Sequence, residues 1–380
     1  MRVLWFNWRD IKNPEAGGAE VFTHEVMSRL VRKGHDMTLF TAQFPGCSDY
    51  EEIDGVKIVR SGGKYSIYRR VKHYYETKKN DYEIVVDEIN TRPFLTPRFV
   101  REKPILALIH QLAREDIFYE LPFPLSFIIY HYLEKKWLSY YKTIPVVTVS
   151  NSTKEELKTL LGLKDSNSNI IVAPQGLSAR PRFEMPKKED VLTVAFVGRL
   201  KRYKLPDHAI EAFYEIRKKV PDAKMWVIGD GYMREELKKK YSDNNKNIIF
   251  FGKTGNELKY DLMGRAHLLL VPSVKEGWGL VVTEANAMGT PAIAYNVSGL
   301  RDSVMNGETG LLTAENTPQG LANSAILLLK DKELLSKFSI NALNFSRRFS
   351  WQNTADVFEK VILNIVQRKS TTIVDGARDA

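Results

Sequence analysis

The chain has 380 residues, 43% of them hydrophobic and 27% charged, a balance that excludes a disordered or fibrous protein and gives length for two domains. Its single cysteine, Cys47, excludes an intramolecular disulfide and a cysteine-rich metal site, and it fits a reducing compartment. The net charge of +10 is spread, with 27 basic against 23 acidic residues up to position 185 and 29 against 23 beyond it; that excludes the single basic stripe of a nucleic-acid module and favours a phosphate-rich small ligand or a membrane surface.

Short β-branched or aromatic runs alternate with helical patterns. Strands are predicted at 3–6, 37–41, 56–59, 84–87, 105–109, 146–149 and 170–173, then at 193–197, 224–228, 248–251, 268–271, 291–295 and 310–312. Several are apolar on both faces, as parallel strands covered by helices must be. The opening run is too short for a signal peptide, and no stretch approaches the ~18 apolar residues of a membrane span. Between 19 and 33, Phe22, Val26, Met27, Leu30 and Val31 share a helical face that stops at Gly34.

Further along, Ile67, Val71, Tyr74 and Tyr75 lie at helical spacing among Arg69, Arg70, Lys72, Lys78 and Lys79, the pattern of a basic amphipathic helix on anionic lipid. The run 121–133 is apolar and aromatic before Lys135 and Lys136; it suits either a core helix or a lipid-facing one. A proline-containing stretch without periodicity, 174–188, separates two βαβ series. The expected organisation is a first doubly wound α/β domain over 1–180 and a second over 181–348. A helix over 349–368, capped by Ser350, is expected to pack back on the first domain, and 369–380 reads as a disordered tail.

Doubly wound sheets bind ligands beyond the carboxyl ends of their strands, so the loops there are where chemistry is sought. The richest runs from Pro272 to Pro291. A buried strand ends, a loop holds Glu276, Gly277, Trp278 and Gly279, and a helix begins near Leu280. Glycines ahead of a helix let ligand atoms approach bare amides, and the helix start attracts anions. Glu276 in the loop and Glu284 about one turn into the helix suit sugar and ribose hydroxyls.

This Glu276–Glu284 pattern, set among Gly277-Trp278-Gly279-Leu280 and Glu284-Ala285-Asn286-Ala287-Met288-Gly289-Thr290-Pro291, resembles the retaining glycosyltransferases of family 4. The resemblance also takes in Gly17-Gly18-Ala19-Glu20, Gly34-His35, the strand ending at His110, Val149-Ser150-Asn151-Ser152-Thr153, Val197-Gly198-Arg199-Leu200 with Lys204, and Gly229-Asp230-Gly231. It implies the α/β fold called GT-B, two Rossmann-like, doubly wound parallel-sheet domains facing a cleft, the first (1–180) acceptor-binding and the second (181–348) nucleotide-sugar-binding. It also implies transfer of a sugar from a nucleoside diphosphate sugar, UDP- or GDP-linked, to a glycan or lipid-linked acceptor.

By the same resemblance Arg199 and Lys204 neutralise the departing diphosphate with the amides of Trp278, Gly279 and Leu280, a task suited to an Arg fork and a Lys point charge. No D-x-D pair, H-E-x-x-H or His/Cys cluster appears, so no metal and no cofactor are expected. Leu205 stands where the family often has Gly. Gly17 and Gly18 are implied to close over the donor phosphate or the acceptor, and Lys253 and Thr254 to approach the nucleobase. His110 is implied to touch the donor sugar; a general base in an inverting reaction is the alternative. No nucleophile is evident, so the leaving phosphate itself could take the acceptor proton. Asp87 and Glu88, at a strand end, are candidates for acceptor contacts. Arg69, Arg70, Lys72 and Tyr74 are candidates for a membrane contact, which would set a cytoplasmic protein at the membrane face. A non-catalytic nucleotide-sugar- or membrane-binding protein of this fold is the alternative function, and nucleic acid is not an expected partner.

Overall fold

The computed structural model describes residues 1–164, 169–182, 184–241 and 247–376, with 369–376 as backbone only. Phe183 of the expected linker and the last four residues of the expected tail lie outside the described residues. The chain divides into two compact units. The first holds Met1–Arg114, Phe127–Gly176 and the chain from Ser350 onward; the second holds Glu115–Ser126 and Leu177–Phe349.

The first unit is built on eight strands: β1 (Arg2–Phe6), β2 (Asp36–Thr41), β3 (Tyr50–Ile53), β4 (Val56–Arg60), β5 (Ile84–Ile89), β6 (Ile105–Ile109), β7 (Val146–Thr148) and β8 (Ile170–Val172). Their order is β3-β4-β2-β1-β5-β6-β7-β8. All neighbours are parallel except β3 and β4, so the sequence reading missed only an antiparallel edge strand. The second unit carries β9 (Thr193–Val197), β10 (Lys224–Ile228), β11 (Ile248–Gly252), β12 (Leu268–Val271), β13 (Ala292–Ala294) and β14 (Gly310–Leu312), ordered β11-β10-β9-β12-β13-β14. Within the unit this is the 3-2-1-4-5-6 order of a Rossmann sheet. Its order reverses between β9 and β12, whose exits carry Arg199, Lys204 and Glu276.

Burial follows the sequence pattern. Leu4, Val85, Leu106 and Val147 are wholly buried on one sheet and Val194, Val227, Leu268 and Ile293 on the other, because helices cover both faces. The helix Gly18–Arg32 buries Phe22, Val26, Met27 and Leu30. The last helix runs Trp351–Gly376, so its backbone continues through eight residues of the stretch expected to be disordered. It packs on the first unit through Phe358 stacked on Trp5 at 4.8 Å, and Glu359 meets His35 at 2.9 Å. Ser350 caps its start by accepting from the Asn353 amide at 3.1 Å.

Glu115–Ser126 leaves the first unit's sequence neighbourhood to join the second, which departs from the single boundary expected at 180. Its attachments are polar: Lys275 lies 3.7 Å from Glu115, and the Tyr232 hydroxyl donates to Glu120 at 2.9 Å. Among the described residues no helix is long and apolar enough to cross a membrane.

Candidate active site

In the second unit, β9 ends at Val197 and the chain turns into a short 3-10 segment, Arg202–Lys204. Leu205 closes that turn at φ 49°, ψ 52°, and Pro206 opens the helix Pro206–Arg217. A left-handed conformation costs an L-residue about 1–2 kcal/mol, which gives a physical reason for the glycine common here in the resembling family. Leu205 recovers part of that cost by packing on the second unit's core. The turn aims Lys204 at Glu276, and the two form a largely buried ion pair. Burial pulls the Lys204 ammonium down, but the charge of Glu276, with Tyr203, outweighs it and holds the pKa above the ordinary value. Glu276 also accepts from the Ser273 hydroxyl at 2.7 Å. Arg199 stays exposed and donates to the Tyr203 hydroxyl at 3.0 Å.

The loop after β12 is shaped by backbone fit. Gly279 adopts φ 93° at the start of the helix Leu280–Ala287 and offers no side chain to its first amides, so that positive end is left for a ligand. A Cβ on Gly299 would come within 2.2 Å of the Glu276 carbonyl oxygen. Trp278 turns inward, edge-on to Phe349 at 5.1 Å, which leaves its backbone rather than its indole for binding. Glu284 sits in the helix, accepting from Lys259 at 2.8 Å and from the Tyr260 hydroxyl at 3.2 Å. Burial, then the Glu284 charge, raises the Tyr260 phenol. Lys259 and Tyr260 were missed by the sequence reading, although both follow the Gly252-Lys253-Thr254 loop that it flagged. Lys253 itself is exposed and Thr254 half-buried.

Asp116, on the Glu115–Ser126 segment, also belongs to this site and was missed. Its carboxyl is pushed up to about 8, first by burial and then by the Glu276 charge, with Glu115 adding and Lys204 and Lys275 opposing. The folded chain therefore holds a proton that the unfolded chain releases above about pH 4. The stability this contributes is complete below that range and is lost as pH rises through about 8. Asp116→Asn is expected to raise the melting temperature progressively more, relative to the parent, between about pH 5 and 9. Parallel melting curves across that range would show that Asp116 titrates normally.

In the first unit, β6 delivers His110 beside β5. Its Nε2 lies 2.9 Å from Glu88 Oε1, its ring is edge-on to Phe22 at 5.1 Å, and its Nδ1 has no hydrogen-bond partner. Asp87 and Glu88 are not the strand-end acceptor groups expected. Both are buried, and neighbouring strand residues point to opposite faces. Asp87 accepts from Tyr141 at 2.5 Å, from the Thr96 hydroxyl at 2.7 Å and from the Thr96 and Phe94 amides. Burial raises its pKa against those bonds. Glu88 accepts from the Trp5 indole at 2.7 Å, from Thr23 at 2.5 Å and from His110.

Gly17 precedes the helix Gly18–Arg32, but its amide donates to Glu20 at 2.6 Å, and Glu20 in turn takes a bond from Arg9 at 3.0 Å. A carboxylate of the chain thus already occupies that helix start. The loop before it is fixed by a fully buried fork in which Arg60 donates to Asp10 at 2.7 and 3.1 Å. The helix Ile67–Lys78 exposes Arg69, Arg70 and Lys72 but turns Tyr74 inward, stacked on Phe40 at 4.4 Å with its hydroxyl on Tyr82. Tyr74 is therefore no lipid contact. Exposed apolar side chains lie instead in the run 118–132, including Phe118, Leu125, Phe127, Phe123 at 78% and Tyr132 at 64%.

Among the described residues no group of three or more His, Cys, Asp or Glu is placed to hold a metal ion. Comparison with known proteins gives a glycosyltransferase family 4 match over residues 16–179 and a glycosyl transferases group 1 match over 179–345. D-inositol 3-phosphate glycosyltransferase of Rhodococcus jostii is 31% identical over 229 residues, 55% of this chain and 50% of that protein. The same-named protein of Corynebacterium glutamicum is 32% identical over 230 residues, 54% of each chain. The chain thus spans about half the length of the curated relatives it matches. In structure it is similar to sucrose-phosphate synthase from Thermosynechococcus elongatus (TM-score 0.76, 18% identity, 97% and 99% of the two chains). It is also similar to Anabaena HepE solved with UDP and glucose (TM-score 0.70, 15% identity, 95% and 98%). With two Rossmann-like sheets and both matches in tandem, the chain belongs to the family 4, group 1 glycosyltransferases of GT-B fold.

Proposed function

We propose that this chain transfers a sugar, with retention of anomeric configuration, from a nucleoside diphosphate sugar to an acceptor hydroxyl, and that no divalent ion takes part. The observation that carries the reading is a largely buried lysine, Lys204, in the same unit as a helix start that no side chain caps. Together they supply the positive charge a departing diphosphate needs, already desolvated and fixed. Arg199 adds a fork at the exposed edge. Glu276 receives hydroxyls of the donor sugar, and Glu284, steadied by Lys259 and Tyr260, receives those of the ribose.

The bond from the anomeric carbon to the phosphate oxygen breaks as the acceptor oxygen bonds to the same face. The acceptor proton passes to the departing phosphate oxygen, so atoms and charge balance without a protein nucleophile. In the first unit, Nδ1 of His110 accepts from a substrate hydroxyl. HepE bound to UDP and glucose supports a UDP-sugar donor, and GDP-sugars share the same diphosphate chemistry. Exposed Phe127 and Tyr132, with exposed Lys135 and Lys136, support a lipid-linked acceptor met at the cytoplasmic face of a membrane.

The test is transfer from UDP- and GDP-hexoses to polyol and lipid-linked acceptors, with the product anomer assigned by NMR. An α-linked product from an α-linked donor is expected. A β-linked product would overturn retention, and nucleotide binding without transfer from any donor would favour a non-catalytic binder.

A further inference from the structure

Three side chains from distant parts of the first unit meet around the carboxylate of a fourth. Trp5 on β1, Thr23 on the helix Gly18–Arg32, Glu88 on β5 and His110 after β6 are each at most 6% exposed. Glu88 Oε2 accepts from Trp5 Nε1 at 2.7 Å and Thr23 Oγ1 at 2.5 Å, while Oε1 lies 2.9 Å from His110 Nε2. An indole nitrogen can only donate, and an ionised carboxylate can only accept. Nε2 of His110 must therefore carry the proton. In the neutral ring Nδ1 is then the bare lone pair, and Nδ1 is the buried atom left without a partner.

We propose that Glu88 is a positioning residue that fixes His110 as its Nε2–H tautomer, so that Nδ1 is presented as the acceptor for a substrate hydroxyl. This rests on the reading of His110 as a sugar contact. A buried acceptor without a partner is costly, and an incoming hydroxyl removes that cost. A histidine in the other tautomer would offer a donor at the same place, to which the hydroxyl could bond only as an acceptor.

Glutamine at position 88 separates this role from packing. It has nearly the shape of glutamate, but only one of its two ends accepts. The Trp5 N–H requires the carbonyl end, so the amide NH2 turns to His110, which must then accept at Nε2 and carry its proton at Nδ1. Glu88→Gln thus inverts the polarity of the atom offered to substrate.

The experiment is long-range proton–nitrogen NMR on protein labelled at histidine nitrogen, at about pH 8, above the ordinary imidazole range. His110 is assigned by its loss in His110→Ala. The parent protein is expected to show Nε2–H, and Glu88→Gln to show Nδ1–H with donor turnover lowered about 10- to 100-fold at near-constant KM, the range seen for the orienting partners of metal-bound histidines. In a His110→Ala background Glu88→Gln should cost no further turnover. An Nδ1–H signal in the parent protein, which needs no variant to fold, would overturn the proposal. So would an unchanged tautomer in Glu88→Gln. A switched tautomer with undiminished turnover would instead remove His110 from the sugar contact and leave the Glu88 geometry standing.

Discussion

Alanine in place of Lys204 is expected to lower kcat by about 100- to 1000-fold, the range in which removing one fixed charge-stabilising group from a transition state falls. In the proposed reaction negative charge grows on the bridging phosphate oxygen as the sugar departs, and Lys204 would meet it: Leu205 and Pro206 lock its turn, and Glu276 keeps it charged despite burial. Donor KM is expected to change much less than kcat, because the interaction strengthens mainly as the bond breaks. Glu276→Ala should cost a similar factor. The double variant should cost far less than the product of the two, since the partners touch. Both single variants are expected to fold, as judged by unchanged circular dichroism and cooperative melting. Turnover within tenfold of the parent in either one would remove the pair from the chemistry.

The largest stability effect is expected far from that pair. Arg60→Ala should destabilise the first unit by about 3–5 kcal/mol, the cost of stranding one member of a buried ion pair. The Arg60 and Asp10 side chains are both wholly inaccessible to water and share two hydrogen bonds, and a third guanidinium bond reaches Glu51. Removing the arginine leaves the Asp10 carboxylate without water and without its cation. Replacing both partners with apolar residues, Asp10→Leu with Arg60→Met, should cost markedly less. Urea unfolding followed by tryptophan fluorescence measures both. Equal losses in the single and double variants would mean that packing, not the stranded charge, sets the cost.

Much of this architecture was legible in the chain because parallel strands must be apolar on both faces. Thirteen strands fell within about two residues of their places for that reason. The strand Tyr50–Ile53 was not legible. Its Tyr50 and Glu52 are exposed at a sheet edge, where one neighbour supplies the pairing and hydrophobic pattern is weak. The helix at 67–78 was read correctly as amphipathic but with Tyr74 on the wrong side. Tyr74 stacks on Phe40, and the exposed face carries Arg69, Arg70, Lys72 and Lys78 together with His73, Glu76 and Thr77.

Within the candidate site, Glu276, Glu284 and Lys204 were visible because they sit in short motifs at strand exits. Glu88 was misjudged, since strand-end carboxylates are usually solvated, whereas this one is satisfied by Trp5, Thr23 and His110 from 83, 65 and 22 positions away. Asp116 was invisible for a related reason. It joins Glu276 only because the Glu115–Ser126 segment packs with the second unit. Local pattern carries no trace of such long-range encounters.

The central claim is that side-chain cations and backbone amides alone stabilise the departing diphosphate. Its most direct test is calorimetric titration of UDP and GDP into the parent protein and Lys204→Ala, each with excess EDTA and again with magnesium. Diphosphate binding to the parent is expected to be unaffected by chelation and weakened at least about tenfold, near 1.4 kcal/mol, in Lys204→Ala. Binding that appears only with magnesium, or that ignores the loss of Lys204, would contradict it.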